Sequence, residues 1–268
     1  MIKKIIKTLL ITFLILILAI FYLSIFGIKT DKLNNQIINN ILKINKNINL
    51  SLGNVNYLLN PYSFTINIKT KNPKILIKSR NLEIETIQTN VVLKSLINSQ
   101  FLIDDLQITT KEIKLNDVIE LAKIFQNSPK LFVLDTIIKE GSITANINLN
   151  FDENGKIKKN YKIKGSIKKA KLNILNQLKL QSLNFNFDID ENNYLLKQID
   201  TKLNGIKITS PLIEIKEKKN LFFVNGKFLN DKKNFNTEEF RIIFANLFDS
   251  TDIQKIEFST INNFSFNF

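Results

Sequence analysis

Gly141 to Lys168 reads GSITANINLNFDENGKIKKNYKIKGSIK. Ile143, Ala145, Ile147, Leu149 and Phe151 alternate with Thr144, Asn146, Asn148 and Asn150. After Asp152-Glu153-Asn154-Gly155 the pattern resumes, with Tyr161, Ile163 and Ile167 against Lys162, Lys164, Ser166 and Lys168. A period of two puts one set of side chains on each face of a strand, and an Asn-Gly turn between two such runs predicts an antiparallel hairpin with one apolar and one wet face.

The same period recurs on both sides of this hairpin. Phe64, Ile66 and Ile68 alternate with Thr65, Asn67 and Lys69; Leu82 and Ile84 with Glu83 and Glu85; Leu183, Phe185, Phe187 and Ile189 with Asn184, Asn186 and Asp188; and Phe264, Phe266 and Phe268 with Ser265 and Asn267. Asn60-Pro61, Asn72-Pro73, Glu191-Asn192-Asn193, Asn204-Gly205 and Asn225-Gly226 punctuate the runs. No βαβ alternation is present, so a parallel sheet is not expected. Helical spacing interrupts the strands at Asn116–Gln126, with Val118, Leu121, Ala122 and Phe125 on one face, and at Thr237–Phe248, where Thr237 is a candidate N-cap. Leu93–Ile97 reads as a single helical turn.

The N-terminus has a different character. Thr8 to Gly27 carries no charge, and about 20 apolar residues cross a ~30 Å hydrocarbon core as a helix. A cleaved signal peptide is the competing reading, but its apolar core is shorter and ends in a small-x-small site, whereas Phe21, Tyr22 and Phe26 stand at this exit. Lys3, Lys4 and Lys7 precede the stretch and bias the N-terminus towards the cytoplasm. Leu33, Ile37, Ile41 and Ile44 then recur at helical spacing. The expected organisation is a cytoplasmic tail over 1–4, a transmembrane anchor over 5–28, an amphipathic connecting helix over 29–46 and an extracytoplasmic β-domain over 47–268.

Composition narrows the chemistry. The 268 residues include no Cys, no His and no Trp. Thiolate nucleophiles, thiolate or imidazole metal sites and histidine general bases are therefore excluded. No glycine-rich phosphate loop occurs. Asp188 and Asp190 share one strand face, which reads either as solubilising acids or as a glycosidase-like pair. The reading is a non-enzyme without cofactor or metal. The net charge is +14, or +10 once Lys3, Lys4, Lys7 and Lys29 are set aside. Its densest cluster, Lys156 to Lys171, fits anionic lipid headgroups or a solvated sheet face; interleaved only by Tyr161, it makes a poor nucleic-acid surface.

The run NLSLGNVNYLLNPYSFTINIKTKNPKILI (49–77), then NLEIETIQTNVVLKSLINSQFLIDDLQITTKEIKL (81–115), resembles the opening of AsmA-like envelope proteins, the group of AsmA, TamB and YhdP. Pro73, Ile75 and Ile77 match the family's Pro-led strand step. Val92, Leu93, Ser95, Leu96, Phe101, Ile103, Leu106 and Ile108 match the line that follows. The likeness covers roughly residues 1–115. It implies a mainly β chain: an elongated, curved antiparallel sheet forming a groove, with two or three short helices, held at the bacterial inner membrane with its bulk in the periplasm. It also implies phospholipid as partner and movement of acyl chains between inner and outer membranes, in support of outer-membrane biogenesis. The candidate apolar groove is Phe64, Ile66, Ile68, Ile75, Ile77, Leu82, Ile84, Ile143, Ile147, Leu149, Leu183, Phe185 and Phe187. Those side chains would equally make the closed core of a β-sandwich. An LptC-like lipopolysaccharide-transport component and a scaffold that binds outer-membrane proteins by strand addition remain alternatives.

Overall fold

The computed structural model of the protein describes residues 2–35, 37–39, 48–77, 80–97, 102–125, 128–154, 156–174, 178–219, 221–236 and 255–267. The chain is mainly β, 61% strand, in one large antiparallel sheet with a few helices and an apolar N-terminal helix. It divides into two units: Met1–Ile113 with Ala145–Lys162, and Lys114–Thr144 with Ile163–Phe268.

The first unit begins with α1 (Ile2–Ile25), whose residues Lys3–Ile25 are long and apolar enough to cross a membrane. The helix stops three residues short of the expected 28. Gly27 adopts φ 65, the left-handed conformation that closes many helices. Its missing Cβ also matters, since one placed there would lie 2.5 Å from the Tyr57 carbonyl oxygen. Ile28–Thr30 then forms β1 instead of continuing as the connecting helix expected over 29–46. Asn34, Asn35 and Ile37–Asn39 are helical; the rest of that expected helix, from 40 to 46, lies outside the described residues.

β1 pairs with β3 (Val55–Asn60), which pairs with β4 (Thr65–Lys71), and the order continues through β6 (Arg80–Val92) and β7 (Ile103–Thr110) to β9 (Ile138–Asn150), on which the two-residue β8 (Ile113–Lys114) also pairs. β2 (Ile48–Ser51) and β5 (Lys74–Ile77) pair with each other, and β5 with the first residues of β6. β6 therefore serves two partners, β5 up to Glu83 and β4 from Thr86. Glu85 falls at a register shift between Ile84 and Thr86. One extra residue there keeps Leu82 and Ile84 on the same face as Ile87, Thr89 and Val91. α2 (Leu93–Ile97) follows β6, as the sequence suggests. In the central turn, Asp152 Oδ1 accepts hydrogen bonds from the backbone N–H groups of Asn154 and Lys156, each at 2.9 Å.

The second unit holds α3 (Leu115–Phe125) and α4 (Pro129–Ile137), the start of β9, and the antiparallel run β10 (Lys162–Ile174), β11 (Leu178–Asp190), β12 (Asn193–Leu203), β13 (Ile206–Lys218), β14 (Leu221–Asn236) and β15 (Lys255–Asn267). α3 matches the expected helix at 116–126 within a residue. α4 was not anticipated. Its Ser-Pro start, with Pro129 in the first turn, is a helix-opening signal, but Leu131–Leu134 lacks amphipathic spacing. The helix expected at 237–248 lies outside the described residues.

Three strands each contain one residue with φ just above 50°: Lys169, Ser182 and Gln198. Each follows a second polar residue, in Ile167-Lys168-Lys169-Ala170, Leu180-Gln181-Ser182-Leu183 and Leu196-Lys197-Gln198-Ile199. A left-handed residue absorbs one position, so apolar side chains on both sides of the break stay on one face. The burial of Ala170, Phe187 and Ile199 on that face agrees with this phasing. Lys169 N–H donates to Asn184 Oδ1 at 2.9 Å, satisfying a donor that the irregular ladder releases.

Gly165 lies against Phe187; a Cβ there would meet the Thr144 carbonyl oxygen at 2.1 Å and Phe187 Cζ at 2.5 Å. Gly226 gives the Phe264 ring similar room. Gly165→Ala should therefore destabilise the protein by about 1–3 kcal/mol, as overpacking does. Gly53→Ala, where nothing lies within 4 Å, should be close to neutral. Urea unfolding followed by circular dichroism in detergent checks both.

Candidate functional site

Residues directly paired in antiparallel strands project from the same face. In the first unit the pairings build three cross-strand rows. One runs Leu59, Ile66, Val91, Ile103. The second runs Tyr57, Ile68, Thr89, Leu106, Leu149, and the third Val55, Thr70, Ile87, Ile108, Ile147. Four or five neighbouring strands thus present a continuous, largely apolar face. Val55, Val91 and Thr70 are buried, whereas Leu59, Ile66, Ile68, Ile87, Leu106, Ile108, Ile147 and Leu149 are only half-buried.

The opposite face carries Asn67, Lys69, Thr86, Gln88, Asn90, Asp105, Gln107, Asn146 and Asn148. Asn67 Nδ2 donates to Asn90 Oδ1 at 2.8 Å, and Asn90 N–H donates to Asp105 Oδ1 at 3.0 Å. An amide and carboxylate ladder of this kind suits water. The sheet is two-sided, with one polar and one largely apolar face, each only partly covered.

In the second unit the corresponding rows are Phe187, Leu196, Ile213, Gly226, Phe264 and Ile189, Tyr194, Ile215, Val224, Phe266. Phe228 stacks on Phe264 with ring centroids 4.8 Å apart. α3 closes part of this unit's apolar side: Leu115 and Ile119 are buried, and Leu115 lies against Gly141. Lys123 bridges the two helices, bonded to Asp135 at 2.6 Å and Glu120 at 3.1 Å. The hydrogen bond to Asp135 raises the Lys123 ammonium above its ordinary value. Asp188, on the wet face, meets Lys164 at 3.1 Å and Lys197 at 3.5 Å. Burial pushes its carboxyl up, but the Lys164 hydrogen bond and the two lysine charges outweigh that and hold it below the usual carboxylate range. Asp188 is thus engaged in ion pairs.

The thirteen residues singled out from the sequence fall into different places. Ile66, Ile68, Ile147 and Leu149 lie together on the half-buried face of the first unit. Leu82 and Ile84 are 2% and 4% exposed and belong to a closed core with Leu50, not to an open surface. Ile75 is half-buried and pairs with Leu50 and Leu82; Ile77 pairs with Ile48 and Arg80. Ile143, Leu183 and Phe185 are half-buried in the second unit, where Phe187 is buried. Phe64 is a correction. It precedes β4, has φ 51 and is 70% exposed, so it belongs to a hairpin tip instead of the inward side of a strand. Alternation with Ile66 suggested the strand; the preceding Asn60-Pro61 turn displaced its start.

The other row members, among them Tyr57, Leu59, Ile87, Val91, Leu106 and Ile108, were not singled out. Leu106 and Ile108 alternate with Gln107 and Thr109, a signal that was available. Among the described residues no cluster of three or more His, Cys, Asp or Glu is placed to hold a metal. No protein-family profile, curated protein or solved structure matches the chain.

Leu82→Ala should cost about 2–5 kcal/mol, the range for emptying a sealed core position. Ile68→Ala, on the half-buried face, should cost about 1 kcal/mol, since about half of its roughly three methylene-equivalents leave water. Chemical unfolding of both variants checks whether this surface differs from the core.

Proposed function

We propose that α1 holds the protein in a membrane and that the half-buried sheet face shields the acyl chains of phospholipid, without catalysis. The observation that carries this reading is the three-row apolar surface across β3, β4, β6, β7 and β9, backed by a polar face. An acyl chain in water costs about 0.8 kcal/mol per methylene, so covering ten methylenes is worth about 8 kcal/mol. Apolar contact is non-directional and holds a tail without fixing its position along the row, as transfer requires.

The resemblance of residues 1–115 to AsmA-like proteins supports a more specific setting. There the lysines at the N-terminus stay in the cytoplasm, α1 crosses the bacterial inner membrane, and the sheet lies in the periplasm. Its task is to conduct phospholipid towards the outer membrane and so support that membrane's biogenesis. A second reading, protein binding by strand addition, draws support from β15, the last strand in the sheet order, on which Ile261 and Phe266 are 66% and 52% exposed.

Native mass spectrometry of the full chain released from mild detergent distinguishes these readings. Phospholipid should co-purify with the unaltered protein. Much of it should be lost from the Ile68→Asp, Leu106→Asp double variant while the strand signal in circular dichroism persists. Lipid retained equally by the double variant would place it around α1 and contradict the acyl-chain surface; lipopolysaccharide in its place would favour the LptC-like alternative.

A further inference from the structure

We propose that the β3–β4 hairpin tip, Asn60 to Phe64, is a second membrane contact, seated in the phospholipid headgroup layer beside the C-terminal half of α1. The inference rests on the reading that α1 spans the bilayer.

The tip stands alongside the helix and not beyond its end. Leu58, Leu59, Asn60, Pro61 and Tyr62, together with Asn67 and Asn90 of the polar face, line a cleft of about 820 Å³ whose other wall is Ile17, Ile20, Phe21, Ser24 and Ile25. Phe21 lies six residues before Gly27, about 9 Å back along a helix axis. If α1 spans, the tip reaches the bilayer interface.

The tip's composition fits that depth. From Asn47 to Ile68 there is no charged residue, in a chain that is 23% charged. Tyr62 is 97% exposed and Phe64 70% exposed, two aromatic side chains with little cover from the protein. Aromatic residues concentrate at membrane–water interfaces, where an apolar ring and a polar hydroxyl are both accommodated. Phe64 also holds a left-handed backbone, which costs about 1–3 kcal/mol for a bulky residue, and most of its ring stays outside the protein.

Several of the tip's backbone groups are satisfied from within. Pro61 has no N–H to lose. Asn60 Oδ1 accepts from the N–H groups of Tyr62 and Ser63 at 3.1 and 3.3 Å. The Phe64 carbonyl accepts from Leu93 N–H at 2.9 Å. Each polar group paired internally lowers the cost of moving the loop out of bulk water. At the same end of this unit a second cleft carries both signs of charge, Lys94 and Lys158 beside Asp104, Asp152 and Glu153. Continuity with α1 and the lack of charge from Asn47 to Ile68 select a phospholipid surface over a protein partner. A consequence is that Leu59 and Ile66, paired next to the tip, bring one end of the apolar face to the membrane surface.

The absence of tryptophan makes the test clean. Phe64→Trp, Phe13→Trp and Lys71→Trp are each made in the full chain and placed in phospholipid nanodiscs with brominated lipids. Lys71 ends β4, about 23 Å along the strand from Phe64. Phe64→Trp should emit blue-shifted and lose intensity most to lipids brominated near the glycerol. Phe13→Trp should be quenched by lipids brominated deep in the chain, and Lys71→Trp should emit as in water. Phe64→Trp emission matching that of Lys71→Trp, with Phe13→Trp quenched, would overturn the tip contact and leave the spanning helix intact. An unquenched Phe13→Trp would remove the spanning reading and this inference together. Tyr62→Trp, one side chain away, repeats the measurement if the Phe64 replacement disturbs the turn.

Discussion

Every strand in this protein must keep its apolar side chains on one side of the sheet, and one-residue register breaks are how it does so. The side-chain period of a strand is two, so an uncompensated extra residue would send the rest of that strand's apolar set to water. Glu85 in β6 and the left-handed Lys169, Ser182 and Gln198 in β10, β11 and β12 each absorb such a residue. Leu82 with Val91, Ile167 with Ala170, and Leu196 with Ile199 are thereby kept in phase. Without those breaks the apolar side chains before and after each one would face opposite sides of the sheet.

The sequence carried the sheet because the alternation is strong, and it carried the breaks as well. Two polar residues in succession between apolar ones, as in Ile167-Lys168-Lys169-Ala170, mark each of the three left-handed positions. Less legible was the end of each element. Phe64 continues the parity of Ile66 and Ile68 yet sits in a turn, because Asn60 caps the backbone of the residues that follow it. Ile28 continues the apolar composition of α1 yet pairs with Tyr57, because Gly27 ends the helix and lets a neighbouring carbonyl approach. α4 escaped because its exposed Phe132, Val133 and Leu134 follow neither helical nor strand spacing.

Covering is the property that periodicity cannot report. Leu82 and Ile68 look alike in the sequence, each an apolar residue in an alternating run. The structure separates them: Leu82 is sealed, where β5 pairs with the first part of β6, and Ile68 is half-buried among Tyr57, Thr89 and Leu106. Which residues pair with each strand's neighbours depends on long-range register, and that is set by the whole sheet. The functional proposal draws its strength from this distinction between an apolar surface and an apolar core.

Site-directed spin labelling addresses that distinction most directly, since the chain has no cysteine to interfere. Leu106→Cys and Val91→Cys, each carrying a nitroxide, are compared in the full chain reconstituted with phospholipid bearing a second nitroxide on its acyl chain. The account predicts strong dipolar broadening at position 106 and slow, poor labelling at the buried position 91. Equal resistance to labelling at both positions, with no broadening at 106, would mean that the face is a sealed core and that no hydrocarbon chain rests on it.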